Sequence, residues 1–223
     1  MTTELVRRFH DVKASIERAA LAAGREASSV KLVAVSKGHG ASEIRELYMQ
    51  GQRVFGESYA QELERKAGEL RDLEELEWHF IGHVQTNKAK VIAAHASAVH
   101  AIDSARAARA LDAALRATDR HAVAFVSVNF GLDEKEHGAR EAQIPEVRDA
   151  IALAERLTLR GYMTLPPDDV EGTERAFQRL REIRDADDPA LELSMGMSHD
   201  LERAVAHGAT LVRIGTALFG ARS

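Results

Sequence analysis

The sequence predicts a single-domain α/β protein, a (β/α)8 TIM barrel with an extra N-terminal helix. Short apolar, β-branched segments occur eight times along the 223 residues, and segments with helical periodicity separate them. Strands that alternate with helices indicate βαβ units and a parallel sheet. Eight such units in a chain of this length fit a compact barrel. A doubly wound open sheet is the competing fold, but the count of eight favours the barrel.

The predicted N-terminal helix comes first in the chain. Leu5, Phe9, Val12 and Ile16 recur at helical spacing, and Gly24 suits the end of the helix. The segment is amphipathic and charged, unlike a signal peptide. No uninterrupted apolar run approaches the roughly 20 residues that span a bilayer. We therefore expect a cytoplasmic protein with no membrane partner.

The remaining elements follow in alternation. The predicted strands lie near residues 30–36, 53–56, 77–82, 98–102, 122–129, 158–164, 191–195 and 210–214. The helices between them cover residues 41–51, 59–70, 86–95, 104–119, 144–157, 170–186 and 199–208. No linker-like change in composition and no low-complexity segment interrupts this order, so we expect one domain over residues 1–223.

Charge and cysteine content exclude several classes of protein. The net charge is −5, acidic and basic residues are mixed, and no basic stripe is present, so nucleic acid is not expected as a partner. The chain has no cysteine, which excludes a disulfide framework and thiolate metal sites. This composition fits a reducing compartment.

A lysine follows the first predicted strand. Active sites of barrels lie at the C-terminal ends of the strands, and the segment KLVAVSKGHG places Lys37 there. Loss of water in the barrel mouth favours the neutral amine of a lysine, which is the form that makes a Schiff base with a carbonyl. A lysine that simply reaches solvent from a strand end is the alternative.

Two segments have the composition of a phosphate site. Gly215 and Thr216 follow the eighth strand, where backbone N–H groups and a hydroxyl can bind an anion. Ser198 follows the seventh strand, and barrels often bind phosphate with the loops after strands seven and eight. Both segments could also be ordinary turns and caps, and Asp200 and Glu202 would oppose an anion.

An aldehyde-reactive lysine beside a phosphate site suggests pyridoxal 5′-phosphate (PLP). Arg213 precedes the predicted phosphate site. If it faces the ring nitrogen, its donor-only guanidinium would bond an unprotonated pyridine nitrogen and leave the ring a poorer electron sink. A salt-bridged structural arginine is the alternative.

Other polar residues follow strands two, three and four. Glu57 or Tyr59 could be an acid–base group, although turn and helix-start roles are commoner. His79 and His83 are four residues apart, which on a strand separates them by roughly 13 Å, too far for one metal ion. We therefore expect no metal site. We expect His83 to belong, with Gln85 and Asn87, to a polar loop at the barrel mouth, and Asp103 and Ser104 to begin a helix.

The segments LVAVSK, GQRVFGESYAQE, WHFIGHVQTNK, RGYMTLPP and LSMGMSHDLERAVAHGATLVRIGTALFGAR resemble the pyridoxal phosphate homeostasis protein family. They are also similar to the N-terminal barrel domain of alanine racemases, and the resemblance covers about residues 5–222. It implies PLP held as a Schiff base on Lys37. It also implies a ring-nitrogen contact from Arg213 and phosphate contacts from Ser198, Gly215 and Thr216.

The resemblance implies two further cofactor contacts, from Ser58 and Met197. Members of the family usually have Asn at the position of Ser58, and often Thr at the position of Gly38. In the loop NFGLDEKEHG, Lys135 is one residue further from Gly138 than the family pattern predicts. A serine at position 58 could still bond near the cofactor but reaches less far.

The resemblance implies a carrier or regulator of PLP that acts in vitamin B6 and amino-acid balance, without established catalytic turnover. PLP-dependent apo-enzymes would be the recipients. A PLP-dependent amino-acid racemase is the alternative. Racemisation needs an acid–base group on each face of the α-carbon. Lys37 could serve one face. In alanine racemases the other base comes from a second domain, and this sequence ends without one.

The tyrosines of the chain offer no obvious second base: they are Tyr48, Tyr59 and Tyr162. We therefore expect a carrier rather than a racemase. Without the second domain of a racemase an expected dimer interface is missing, so we also expect a monomer. A barrel with a structural Lys37 and no cofactor is a third hypothesis, and it predicts a colourless protein.

Overall fold

The barrel predicted from the sequence is present in the computed structural model, which describes residues 2–131 and 137–220. Its strands are β1 (Lys31–Val35), β2 (Val54–Glu57), β3 (Glu77–Phe80), β4 (Ala98–Ile102), β5 (Ala122–Val128), β6 (Leu157–Thr164), β7 (Glu192–Ser194) and β8 (Leu211–Ile214). All neighbours pair in parallel, and β1 pairs with both β2 and β8, which closes the barrel. The open-sheet alternative was therefore wrong.

Helices alternate with these strands as predicted. They are α1 (Glu4–Ala22), α2 (Ala41–Met49), α3 (Ala60–Glu69), α4 (Ala89–His95), α5 (Ala105–Ala117), α6 (Ile144–Ala152), α7 (Val170–Asp187), α8 (Leu201–Ala206) and α9 (Thr216–Phe219). Short 3-10 turns lie at Ala27–Ser29, Thr86–Lys88 and Glu141–Gln143. No helix in the described ranges is both long enough and apolar enough to cross a membrane.

The extra N-terminal helix, α1, begins at a side-chain cap. The Thr3 hydroxyl accepts a hydrogen bond from the Val6 N–H at 3.2 Å, which satisfies one of the free donors of the first turn. The apolar stripe of α1 is buried as the spacing predicts, and Phe9 and Ile16 are each 4% exposed. Arg8 donates to the Phe219 carbonyl at 3.2 Å, so α1 is also tied to the C-terminal helix α9.

The barrel interior combines apolar and polar side chains. A small apolar cluster, separate from the main core, contains Val33, Ala101, Phe125, Met163 and Leu211. Buried polar side chains on β3, β4, β7 and β8 include those of His79, His100, Ser194 and Arg213. Buried polar groups are costly unless they are hydrogen-bonded, so the partners of these four residues determine what the interior can support.

Candidate functional site

Lys37 lies at the C-terminal rim of the barrel, two residues after β1 ends. Its side chain is half-buried and has no hydrogen bond or ion pair with any residue that the structure describes. In the pairing of β1 with β8, Val33 lies opposite Arg213 and Ala34 opposite Ile214. The residues that follow the two strands therefore lie beside each other at one rim, which brings Lys37 next to the segment that begins at Gly215.

A buried ionic network fixes the backbone on both sides of Lys37. Lys66 of α3 donates to the Ser36 carbonyl at 2.7 Å, to Glu57 at 2.6 Å and to Glu62 at 2.8 Å. The Ser36 hydroxyl donates to Glu57 at 2.7 Å, and the Gly38 N–H donates to Glu62 at 2.9 Å. Because this network holds Ser36 and Gly38, the backbone of Lys37 is held in place while its side chain bonds to no described residue.

Burial controls the charge of this network. The side chains of Lys66 and Glu57 are both 0% exposed. Burial raises the pKa of Glu57, and the hydrogen bonds from Lys66 and Ser36 oppose that shift. Burial would also raise the pKa of Glu62, but the bonds from Lys66 and Gly38 outweigh it and lower that pKa. Glu57 therefore accepts hydrogen bonds from Ser36 and Lys66 and helps to hold the backbone that precedes Lys37.

The loops after β7 and β8 lie in contact, as a shared anion site requires. Ser198 accepts a hydrogen bond from the Ala217 N–H at 3.3 Å, which leaves its hydroxyl proton free to donate. The N–H groups of Gly215 and Thr216, and the Thr216 hydroxyl, donate to no acceptor in the described ranges. Four donors therefore converge on one exposed patch of the rim.

Backbone geometry shapes the first of these loops. Gly196 has φ +98°, and a Cβ there would lie 2.5 Å from the Cβ of Ala204, so a glycine is required. The buried Asp200 carboxylate accepts from the N–H of Met197. Asp200 therefore closes the turn with its side chain, which is buried, whereas Ser198 is exposed.

Arg213 is held inside the barrel mouth by neutral acceptors. It donates to the Ser194 carbonyl at 2.6 Å, to the Ser194 hydroxyl at 2.7 Å and to the Thr164 carbonyl at 2.8 Å. Two of its five N–H donors have no partner in the described ranges. Burial lowers its pKa to about 10, so the guanidinium stays charged at neutral pH. No carboxylate among the described residues lies within salt-bridge distance of it, although the charge of the buried Asp200 partly opposes the effect of burial on its pKa.

A hydrogen-bonded chain extends from Arg213 through the barrel interior. The Ser194 hydroxyl lies 2.8 Å from Nδ1 of His100, and Nε2 of His100 lies 2.9 Å from Nδ1 of His79. Arg213 can only donate, so Ser194 accepts from it and donates its proton to His100. His100 then carries its own proton on Nε2 and donates to His79. The charge of Arg213 therefore sets the direction of the whole chain.

Burial keeps His100, at the centre of this chain, uncharged. Burial lowers the pKa of His100 well below its usual range, and the charges of His79 and Arg213 lower it further. At the N-terminal ends of the strands the chain reaches a cavity of about 370 Å³ lined in part by His79 and Glu77. The chain thus connects the rim at Arg213 with the opposite end of the barrel.

Three further residues singled out from the sequence, Ser58, Tyr59 and Met197, lie after β2 and β7. Ser58 follows β2 directly and is half-buried, and its hydroxyl bonds to no described residue. Gly82 packs against the Ser58 carbonyl so closely that a Cβ there would lie 2.0 Å from that oxygen. Met197 is half-buried in the loop after β7. Tyr59, at 57% exposure, faces solvent at the start of α3.

A large groove lies beside the rim. It has a volume of about 760 Å³ and is lined in part by Phe130, Asp168, Arg175 and Arg179. Both arginines are already paired with carboxylates, Arg179 with Glu141 at 2.8 Å and Arg175 with Glu171. Since these charges are neutralised on the surface, the groove offers less for an anion than the unpaired donors after β7 and β8.

Several site residues were missed by sequence reasoning. Lys66 falls on the buried stripe of α3, three residues after Leu63, and a lysine on an apolar stripe was the available signal. His100 and Ser194 lie 94 positions apart, and only the closed barrel brings them together. Their sequence contexts look like ordinary strand segments.

Comparison with known proteins agrees with this geometry. Residues 11–223 match the family described as alanine racemase, N-terminal domain. The chain is 43% identical to the pyridoxal phosphate homeostasis protein of Pseudomonas aeruginosa PAO1, over 95% of this chain and 93% of that protein. It is 37% identical to the protein of the same name from Escherichia coli K12, over 98% of this chain and 97% of that protein.

Solved structures of related proteins have the same fold. PipY of Synechococcus elongatus PCC7942, solved with PLP bound, has a TM-score of 0.79 and 37% identity over 92% of this chain and 99% of its own. Alanine racemase from Corynebacterium glutamicum, at 22% identity and a TM-score of 0.66, shares the fold over 95% of this chain and 60% of its own. This chain belongs to the pyridoxal phosphate homeostasis protein family, which has the fold of the alanine racemase N-terminal domain.

Proposed function

We propose that this protein binds PLP and acts in intracellular PLP, vitamin B6 and amino-acid homeostasis. A relative that is 43% identical is named pyridoxal phosphate homeostasis protein, and PipY, at 37% identity, has been solved with PLP bound. The proposal also depends on whether the residues at the rim fit the cofactor, which has an aldehyde, a phosphate and a pyridine nitrogen.

The donor set of the rim fits those three groups. Among the described residues, Lys37 offers an amine with no competing partner, and Ser198, Gly215 and Thr216 offer unpaired donors for a phosphate. Within the same part of the chain, Arg213 keeps two N–H donors free for a ring nitrogen. Ser58 and Met197 would complete the contacts with the cofactor, at the ends of β2 and β7.

One observation carries the proposal: the pairing of β1 with β8. The register that sets Ala34 opposite Ile214 brings Lys37 and Gly215 to neighbouring positions on one rim. An amine and a phosphate site on adjacent strand ends are what an aldehyde phosphate requires. In our proposal Lys37 bonds the aldehyde carbon as a Schiff base, with loss of one water.

The same residues favour a carrier over a racemase. When bound, PLP supplies a ring that can withdraw electrons from an attached amine. Arg213, which stays charged at neutral pH, can donate to the ring nitrogen but cannot accept a hydrogen bond from it, so it would favour the unprotonated nitrogen and limit that withdrawal. Tyr162 is buried, donates to Asp187 at 2.6 Å and has a raised pKa, mainly from its burial, so it would be a poor second base.

We further propose that residues 1–223 form one PLP-binding barrel domain and that the protein is a cytoplasmic monomer. Its partners would be PLP and, as recipients, PLP-dependent apo-enzymes. A carrier must hold its cofactor through a bond that is reversible and that another protein can reach. Lys37 and the phosphate donors lie at an exposed rim, which is consistent with transfer to another protein.

A spectroscopic titration tests the proposal. We expect the full-length protein to develop a visible absorption band with one equivalent of PLP. Lys37→Ala should not develop it, and Lys90→Ala, which removes an exposed lysine of α4, should behave like the wild type. Absence of the band in the wild type would refute PLP binding through a Schiff base. Alanine racemisation that depends on Lys37 would favour the enzyme.

A further inference from the structure

Three metal-ligating side chains that the proposed PLP site does not use meet on another part of the rim. They are His83, Asp103 and His137, and their nearest ligand atoms all lie within 4.8 Å of one another. Nδ1 of His83 is 2.9 Å from Oδ2 of Asp103. The rings of His83 and His137 stack with centroids 3.9 Å apart and 10° between their planes.

The barrel explains why residues so far apart in sequence come together. The three follow β3, β4 and β5, which are neighbours in the sheet, so their loops share one sector of the rim. The expectation of no metal site considered only His79 and His83. The structure separates that pair: His79 points into the barrel interior and bonds His100, while His83 stays at the rim.

The surroundings of Asp103 favour a cation. Its side chain is only 14% exposed, and it lies 2.9 Å from the imidazole of His83. It pairs with no lysine or arginine within residues 2–131 and 137–220. A largely buried carboxylate usually has a strong positive partner, and here two imidazoles occupy that position. Imidazole and carboxylate together are ligands that a metal ion can use.

We propose that His83, Asp103 and His137 form a binding site for a divalent transition metal of the Zn²⁺ class. Two imidazoles and one carboxylate suit Zn²⁺, Co²⁺ or Ni²⁺, whereas Mg²⁺ and Ca²⁺ prefer oxygen ligands throughout. Bonds of about 2.0–2.1 Å set tetrahedral ligand atoms roughly 3.3 Å apart. The His83–Asp103 pair, at 2.9 Å, is near that spacing, and the ring of His137, which stacks on His83, would turn to bring its nitrogen to the same ion.

The site leaves one tetrahedral position open. Three protein ligands and an open position are typical of catalytic rather than structural zinc sites. A cavity of about 450 Å³ borders His83 and is also lined by Thr86, Asn87 and Ser104. Water or a small ligand can therefore reach the fourth position from this side. The three ligands belong to loops, and their assembly does not depend on PLP.

Metal titration of the untagged, full-length protein tests the proposal. After treatment with EDTA and gel filtration, we expect one equivalent of Co²⁺ to produce the visible bands of a tetrahedral complex, and Zn²⁺ to displace it. Calorimetry should give one Zn²⁺ per chain. Omission of a histidine tag is essential because a tag would bind the same ions.

Variants locate the site. His137 is exposed, so His137→Ala should fold normally and weaken Zn²⁺ binding at least about tenfold, since loss of even an outer-shell partner costs 10–100-fold. Asp103→Asn should do the same while it keeps a hydrogen bond to His83. His10→Ala, an exposed histidine on α1, should leave the affinity unchanged. Equal affinity in all four proteins, or no stoichiometric binding by the wild type, would overturn the proposal.

Discussion

Nζ of Lys66 lies 2.6 Å from Oε1 of Glu57, and both side chains are fully excluded from solvent. This pair connects α3 to the ends of β1 and β2, and it holds the backbone on which Lys37 stands. A buried pair of this kind is costly to form, and still more costly to break on one side. Its position directly beneath the reactive lysine indicates that it serves the geometry of the site as well as the fold.

Loss of one partner should destabilise the protein strongly. We expect Lys66→Met to lower the free energy of unfolding by about 3–5 kcal/mol, because Glu57 then lacks its cation in a buried position. The double variant Lys66→Met/Glu57→Gln should recover part of that loss. Urea unfolding measures both. Arg45→Ala, which breaks the exposed pair with Asp72, should cost far less, because water screens that pair. Equal losses in the buried and exposed variants would contradict this interpretation.

The direction of the interior chain can be observed by NMR. With ¹⁵N-labelled histidine, we expect His100 to carry its proton on Nε2, because Ser194 donates to its Nδ1. Ser194→Ala removes that donor, so His100 should become a mixture of tautomers. Ser198→Ala, in the exposed loop, should leave the His100 signals unchanged. A wild-type His100 protonated on Nδ1 would show that Arg213 does not set the direction.

Acid should destabilise the fold through His100. The pKa of His100 is lowered in the folded protein, so below the unfolded value of 6.5 the unfolded chain binds a proton that the folded chain does not. The free energy of unfolding should therefore fall with decreasing pH, by about 1.4 kcal/mol per unit for this one group.

Unfolding of the wild type and of His100→Gln between pH 7 and pH 5 isolates the effect. The variant should lose this part of the pH dependence, although it will be less stable overall. The exposed His10→Gln variant should keep the wild-type slope. The expectation fails if wild type and His100→Gln have the same slope.

The phosphate donors can be tested with two ligands. Ser198→Ala and Thr216→Val each remove one hydrogen bond to a charged group, worth about 1.5–3 kcal/mol. The dissociation constant for PLP should rise roughly ten- to a hundredfold in each variant. Binding of pyridoxal, which has no phosphate, should change little. If both ligands lose affinity equally, these residues act through the fold of the loops and not on the phosphate.

Much of the fold could be predicted from the sequence because buried parallel strands are short apolar runs. β4, predicted at 98–102, spans Ala98–Ile102, and the other strand bounds agree within one residue, except that β3 ends at Phe80, two residues before the predicted end. Lys37 and Gly215 could be placed at the rim because each directly follows such a run. These predictions depend on local sequence alone.

The supporting residues could not be predicted because their roles come from barrel closure. Lys66 resembles any charged helix residue until α3 packs over Ser36 and Glu57. His100 finds Ser194 only when β4 and β7 face each other across the interior. The proximity of His83, Asp103 and His137 has the same origin, because their loops meet only when β3, β4 and β5 pair in the barrel.

The central claim is that Lys37 holds PLP, and chemical trapping tests it most directly. The protein is loaded with PLP, reduced with borohydride, digested and mapped by mass spectrometry. We predict a single pyridoxyl phosphate adduct, on Lys37, and no adduct in Lys37→Ala. An adduct on another lysine, or none after loading with excess PLP, would contradict the account and leave the free amine at the end of β1 without an assigned ligand.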